Sequence, residues 1–344
     1  MKLRISLTAL AALGLAATLG GRAAEAEVAV TSAGRCTLRG QPALPPDLEI
    51  FSESQGGEAI ARFTGAAIAV SVRDFPASGK GGRASVQTGN ARGAGSFRID
   101  GFVDAAKVPL ATARDVPVVL EHLWLGAHRR VHFVAAAPDR LRVELTMTTP
   151  MRQSFSAWAS CGALSLDAGV PVGWTPAGRE RGYVVKKDRI DLYDRPSAER
   201  KVVTTLIRSA ESGILLFGTE RRGGFVRVAF HGPVIIDAWA RLSDLVALPP
   251  GETMDQVQES TTVSSGPRLA LAASPRLVRT TREVALRVVA KHDARVIGKI
   301  DPETDTYVID VVAGWASVMP KALDVAPAGE KQFWAKASEL GLGT

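Results

Sequence analysis

The chain has 344 residues, a net charge of +7 and 22% charged side chains, which is more than one compact core usually absorbs and points to two or more domains. Its basic excess is mild and spread along the sequence, which disfavours dedicated nucleic-acid binding and fits weak attraction to anionic surfaces. With two cysteines and no Cys-x-x-Cys pair, Gly-x-Ser-x-Gly elbow, His-Glu-x-x-His helix or dinucleotide fingerprint, it carries no motif for catalysis and implies no cofactor.

Met1-Lys2-Leu3-Arg4 leads into an uncharged run from Ile5 to Gly21, and Ala24-Glu25-Ala26 supplies small residues for a signal peptidase. This pattern predicts a signal peptide over 1–26, cleaved after Ala26, and a periplasmic or secreted mature protein of 318 residues and charge +5. The alternative is a retained membrane anchor. The run falls short of the roughly 20 apolar residues that a spanning helix needs, and no later segment reaches that length without a charge. Cys36 lies behind Arg35 and away from the cleavage site, so it suits no lipid attachment.

In an oxidising compartment Cys36 and Cys161 are expected to form a disulfide, worth an estimated 4–5 kcal/mol for a loop of this length. Cys161 has no adjacent base, so a nucleophilic role is not expected. Between the cysteines, 36–166 reads as an N-terminal β region of one or two barrel-like modules. Gly79-Lys80-Gly81-Gly82-Arg83 lacks the Ser or Thr that a phosphate loop needs and is expected to be a mobile basic hairpin loop. His128, Arg130 and His132 share one face of an expected strand, with His122 nearby. No Cys or acidic cluster accompanies them, so they read as a wet face and no metal site is assigned.

Leu141, Val143, Leu145 and Met147 alternate with Arg142, Glu144, Thr146 and Thr148, the signature of a half-buried strand. Short β-rich runs follow at Val184, Ile190, Val202, Ile214, Phe225 and Val234, separated by turns at the spacing of small all-β domains. Linkers are expected at 167–182 and 249–272, rich in Pro, Gly, Ser and Thr.

Four times a ring is followed by small residues: Phe102-Val103, Trp158-Ala159, Trp239-Ala240 and Trp334-Ala335. Each of these precedes an expected module end, which predicts an irregular repeat carrying insertions. Asp100 and Asp237 hold equivalent places before two of the rings and are expected to cap turns through backbone hydrogen bonds.

Two of the expected modules carry a family resemblance. Ile190-Asp191-Leu192-Tyr193-Asp194-Arg195-Pro196, Val202-Val203-Thr204-Thr205-Leu206, Gly224-Phe225-Val226-Arg227-Val228 and Ala238-Trp239-Ala240 resemble, in order, the strands of the bacterial SH3-like (Src-homology-three type) domain. Over 281–342, Val284-Ala285-Leu286-Arg287-Val288, Ala294 to Ile300, Gly314-Trp315-Ala316-Ser317-Val318 and Phe333-Trp334-Ala335 repeat the likeness. It implies a small five-stranded barrel at 183–248, a second at 273–344, and an all-β chain of tandem SH3-like barrels.

The resemblance implies binding of cell-wall peptides, or targeting and scaffolding, usually without catalysis. The expected partners are peptidoglycan or an envelope protein. Tyr193, Trp239, Trp315 and Trp334 are the candidate ligand-binding residues, because a flat ring with a polar tip suits a groove, and core packing is the competing role for these rings and for Trp158. Alternative functions are an envelope hydrolase targeted by its barrels and a structural component of a surface assembly.

Overall fold

The computed structural model describes residues 35–89, 96–171, 173–174, 180–210, 212–249 and 275–343, and all the regular structure among them is β-strand or one-turn 3-10 helix. They belong to one compact unit. The expected signal segment 1–26 and residues 250–272 of the second expected linker lie outside the described residues.

The strands, in chain order, are β1 (Leu38–Gly40), β2 (Glu49–Phe51), β3 (Ala59–Phe63), β4 (Val70–Arg73), β5 (Arg83–Thr88), β6 (Phe97–Asp104), β7 (Leu110–Thr112), β8 (Val116–Val119), β9 (Leu123–Leu125), β10 (Arg130–Ala137), β11 (Arg140–Met147), β12 (Gln153–Ser160) and β13 (Leu164–Ser165). They continue as β14 (Arg181–Val185), β15 (Arg189–Tyr193), β16 (Val202–Ile207), β17 (Leu215–Arg222), β18 (Phe225–His231), β19 (Val234–Arg241), β20 (Leu245–Ala247), β21 (Arg276–Arg279), β22 (Val284–Arg287), β23 (Val296–Ile300), β24 (Asp305–Val312), β25 (Trp315–Pro320), β26 (Val325–Pro327) and β27 (Phe333–Lys336). Alternation drives them: in β11 Leu141, Val143, Leu145 and Met147 are buried, and the residues between them face outward.

One motif occurs four times among the described residues. An opening strand is followed by a two-stranded hairpin, a three-stranded meander and a 3-10 turn that begins three residues after an aromatic ring. The opening strand pairs with the first meander strand in every copy, as β1·β4, β7·β10, β14·β17 and β21·β24. In the second and third repeats a closing strand returns to the opening one, as β13·β7 and β20·β14. Bulges at Phe133/Ala135, Gly218/Glu220 and Val308/Asp310 mark the same step of the meander. The 3-10 turns start at Ala105, Cys161, Leu242 and Ala337, each three residues after Phe102, Trp158, Trp239 or Trp334.

The repeats pair in a nested order, first with fourth and second with third. In the outer pair β23 adds to β6, with Gly298 opposite Ile99 and Ile300 opposite Phe97, and β26 adds to β3. In the inner pair β9 adds to β19, with Leu123 opposite Ile236 and Leu125 opposite Val234. The return contact there is the bridge between Met151 and Arg208, beside which the Arg152 N–H donates to the Ile207 carbonyl at 2.9 Å. Each addition covers strand edges that would otherwise offer unpaired backbone groups. The result is three antiparallel sheets of 13, 5 and 9 strands, none of which closes on itself. The barrels expected to close one by one are therefore open, because hydrogen bonding runs each repeat into its partner.

Rings and one ion pair seal the junctions. Phe97 and Phe333 lie 5.7 Å apart between the first and fourth repeats, and Phe75 and Phe133 lie 5.2 Å apart between the first and second. Arg98 pairs with Asp301, whose side chain is 6% exposed. The disulfide joins Cys36, just before β1, to Cys161 at the 3-10 turn of the second repeat, with Cα atoms 5.3 Å apart. No helix among the described residues is long and apolar enough to cross a membrane.

Two expectations need correction. The 79–83 segment is docked: the Gly79 N–H donates to the Val134 carbonyl at 2.8 Å, and Ser78 bridges Ala135 of the second repeat. Asp100 and Asp237 are equivalent, but they sit within β6 and β19 and cap no turn. Asp100 accepts from Gln87 Nε2 at 2.7 Å, and Asp237 holds Arg227 in a two-pronged pair at 2.7 Å. Cross-strand side chains outcompete the local backbone for both carboxylates.

Within the expected linker 167–182, the Asp167 carboxylate accepts the Gln41 N–H at 3.0 Å. Trp174 stacks on His231 with ring centres 4.2 Å apart. Asp167 and Trp174 are thus anchored to the sheets, while Ala168, Gly169 and Val170 are exposed.

Candidate functional site

Residues directly opposite on antiparallel strands share a face, and one face of the meander carries the same arrangement in each repeat. In the third repeat Tyr193, Trp239 and Arg227 form one row and Arg241 and Phe225 the next. In the fourth the rows are Arg287, Trp334 and Ser317, then Lys336 and Trp315. The first repeat has Phe51, Phe102 and Ser85, then Asp104 and Arg83, and the second has Trp158 and Arg142, then Ser160 and Arg140.

A guanidinium lies over a ring on this face in every copy. Arg83 stands 3.5 Å from the Phe51 centre, Arg140 5.3 Å from Trp158, and Arg287 5.7 Å from Trp315. The third repeat has two: Arg200, from the loop between β15 and β16, is 4.8 Å from the Tyr193 centre, and Arg241 is 5.6 Å from it. Phe225 meets Tyr193 edge-on at 6.0 Å and lies 5.3 Å below Arg200. Each such contact is worth about 0.5–1 kcal/mol at an exposed site.

Charge is unevenly satisfied around Tyr193. The backbone N–H of Lys201 and the side chain of Arg195 hold the Asp194 carboxyl below the usual range, so it is ionised and engaged. Asp237, by its hydrogen bonds, raises Arg227 above its ordinary value. The Asp237 N–H donates to the His122 carbonyl at 2.9 Å, tying the second repeat to this face.

The four candidate ligand-binding residues fall on this face, two in each of the last two repeats. Tyr193 is directly opposite Trp239, and Trp315 and Trp334 are diagonal neighbours on β25 and β27. Tyr193, Trp239 and Trp315 are 7%, 9% and 6% exposed, so they present edges to solvent more than faces, while Trp334 is half-buried and Trp158 is 42% exposed. Sequence reasoning left out the guanidiniums: Arg83, Arg140, Arg200, Arg241 and Arg287. The available signal was the cation two residues after the ring, at Arg241 and Lys336.

Arg130 and His132 alternate outward on β10, and His128 sits before that strand. Among the described residues no group of three or more His, Cys, Asp or Glu gathers to hold a metal. A 560 Å³ depression lined by Glu49, Ala59, Ala328, Gly329, Glu330 and Lys331 lies between the first and fourth repeats, where Ala59 is directly opposite Phe51. The ring-bearing face therefore suits surface recognition of an extended or small ligand. No family model, curated protein or solved structure matches the chain.

Proposed function

We propose that this chain is an exported, non-catalytic envelope protein whose four repeats are SH3-like modules that bind or scaffold cell-wall peptides. The third repeat supports the family reading: the four segments that carry the resemblance lie, in order, at β15, β16, β18 and β19, with a 3-10 turn before the closing strand β20. The disulfide fits an oxidising, extracytoplasmic compartment. The observation that carries the binding role is the return of ring and guanidinium to the equivalent face of each of the four meanders, which sets N–H donors beside ring edges.

The test is co-sedimentation of the mature, oxidised protein with purified peptidoglycan at physiological salt. Retention is expected, with no soluble fragments released. A protein left in the supernatant contradicts wall binding, and released fragments would replace this reading with a hydrolase.

A further inference from the structure

The third repeat differs from its three counterparts in placing two guanidiniums on one ring, and we propose that this corner binds a carboxylate-bearing ligand. The inference rests on the ring-bearing face being a binding surface and names what its third copy takes.

A guanidinium presents its N–H groups in one plane as a fixed fork. Arg200 lies over Tyr193 and Phe225, its Nε is buried and its Nη1 donates to the Ser197 carbonyl at 2.9 Å, so Nη2 is the end left for a ligand. Arg241 shares the same ring and is exposed. Among the described residues neither forms an ion pair, although Asp194 is next to Tyr193 in the chain. That carboxylate is taken up by Lys201 and Arg195.

Two guanidiniums beside one phenol ring leave positive charge that no carboxylate offsets, and an anion there would neutralise it through charge-assisted N–H bonds.

The other repeats lack this arrangement. Arg83 is spent on the carbonyls of Glu53 and Gly56, Arg287 donates Nε to the Ala294 carbonyl at 3.1 Å, and Arg140 stands alone over Trp158. The ligand class follows from the floor of the site. Tyr193 and Phe225 offer apolar ring edges that suit the carbon skeleton of an acidic peptide, which inorganic phosphate lacks.

The experiment is calorimetric titration of the full-length oxidised protein with acetyl-Ala-Glu, its uncharged analogue acetyl-Ala-Gln-amide, and inorganic phosphate. Acetyl-Ala-Glu is expected to bind, more tightly than phosphate, and the uncharged analogue to give no heat. Arg200→Gln and Arg241→Gln should each weaken binding at least tenfold, and Arg130→Gln, an equal loss of charge in the second repeat, should leave it unchanged. Arg200→Lys keeps the charge without the flat fork and should fall between.

In wild-type protein the Trp239 indole N–H resonance should shift on adding acetyl-Ala-Glu, a readout that needs no variant to fold. Equal binding of the uncharged analogue, tighter binding of phosphate, indifference to both arginine substitutions, or silence in the titration overturns the inference. A silent titration with intact wall retention removes this inference alone, and lost retention with an intact titration removes the wall reading alone.

Discussion

Gly298 stands directly opposite Ile99 across the ladder that joins the first and fourth repeats, and a Cβ at that position would fall on the Arg98 carbonyl oxygen. Backbone cannot swing aside as a side chain can, so β23 and β6 must separate to admit it. Gly298→Ala should therefore destabilise by about 2–3 kcal/mol, the upper part of the range for overpacking. Urea unfolding measures this, with Gly162→Ala, where a Cβ meets open space, as the neutral comparison. Equal midpoints for the two variants would deny the close ladder.

Asp301 is buried against Arg98 at the same junction, and its N–H donates to the Ser96 carbonyl at 2.9 Å. Removing the carboxylate alone leaves a partly buried guanidinium unpaired, so Asp301→Ala should cost about 3–5 kcal/mol. Replacing both partners, Arg98→Met with Asp301→Leu, should recover most of that loss. A double-mutant cycle checks it, and additive losses would argue against coupling.

The disulfide ties the first repeat to the second across 125 residues of sequence. Cys36→Ser with Cys161→Ser should lower stability by on the order of 4–5 kcal/mol, mainly by freeing the unfolded chain. Denaturant unfolding reads the change, and a thiol assay on the wild-type protein should find no free thiol until a reductant is added.

Burial holds His231 below its ordinary pKa of 6.5, against opposing attraction from Asp237, Asp115 and Glu180. The unfolded chain takes up the proton near 6.5 while the folded one resists, so this contribution to stability is present above 6.5 and is lost as pH falls below it. The urea midpoint should drop between about pH 7 and pH 5, the range where histidine titrates. His231→Phe keeps a ring for Trp174 to stack on and should flatten that part of the slope. An unchanged pH profile in the variant would remove His231 as the cause.

Strand alternation was legible in the amino-acid pattern because it is local: Leu141 to Met147 reads the same in sequence and in β11. So was the recurrence of Phe102, Trp158, Trp239 and Trp334, since each ring precedes a 3-10 turn by the same three residues. The cysteine pairing followed from there being two cysteines and an export pattern. The nested order of the repeats was not legible. Leu123-Trp124-Leu125 and Gly298-Lys299-Ile300 are three-residue edges, and nothing in them names a partner strand elsewhere in the chain.

The guanidiniums were missed for a related reason. Arg200 reaches Tyr193 from a loop, and Arg83 and Arg140 begin strands, positions that in sequence read as turn and solvent. Docking of the 79–83 segment depended likewise on Val134, more than 50 residues away, and glycine content alone carries no such contact.

Inter-strand proton contacts in an isotope-labelled sample test the nested arrangement most directly. The repeat face, the junction energies and the wall-binding reading all assume it. Methyl contacts between Leu123 and Ile236 and between Leu125 and Val234, together with contacts from Ile300 to Phe97, are predicted. Contacts that instead join β9 and β23 only to strands of their own repeats would contradict it.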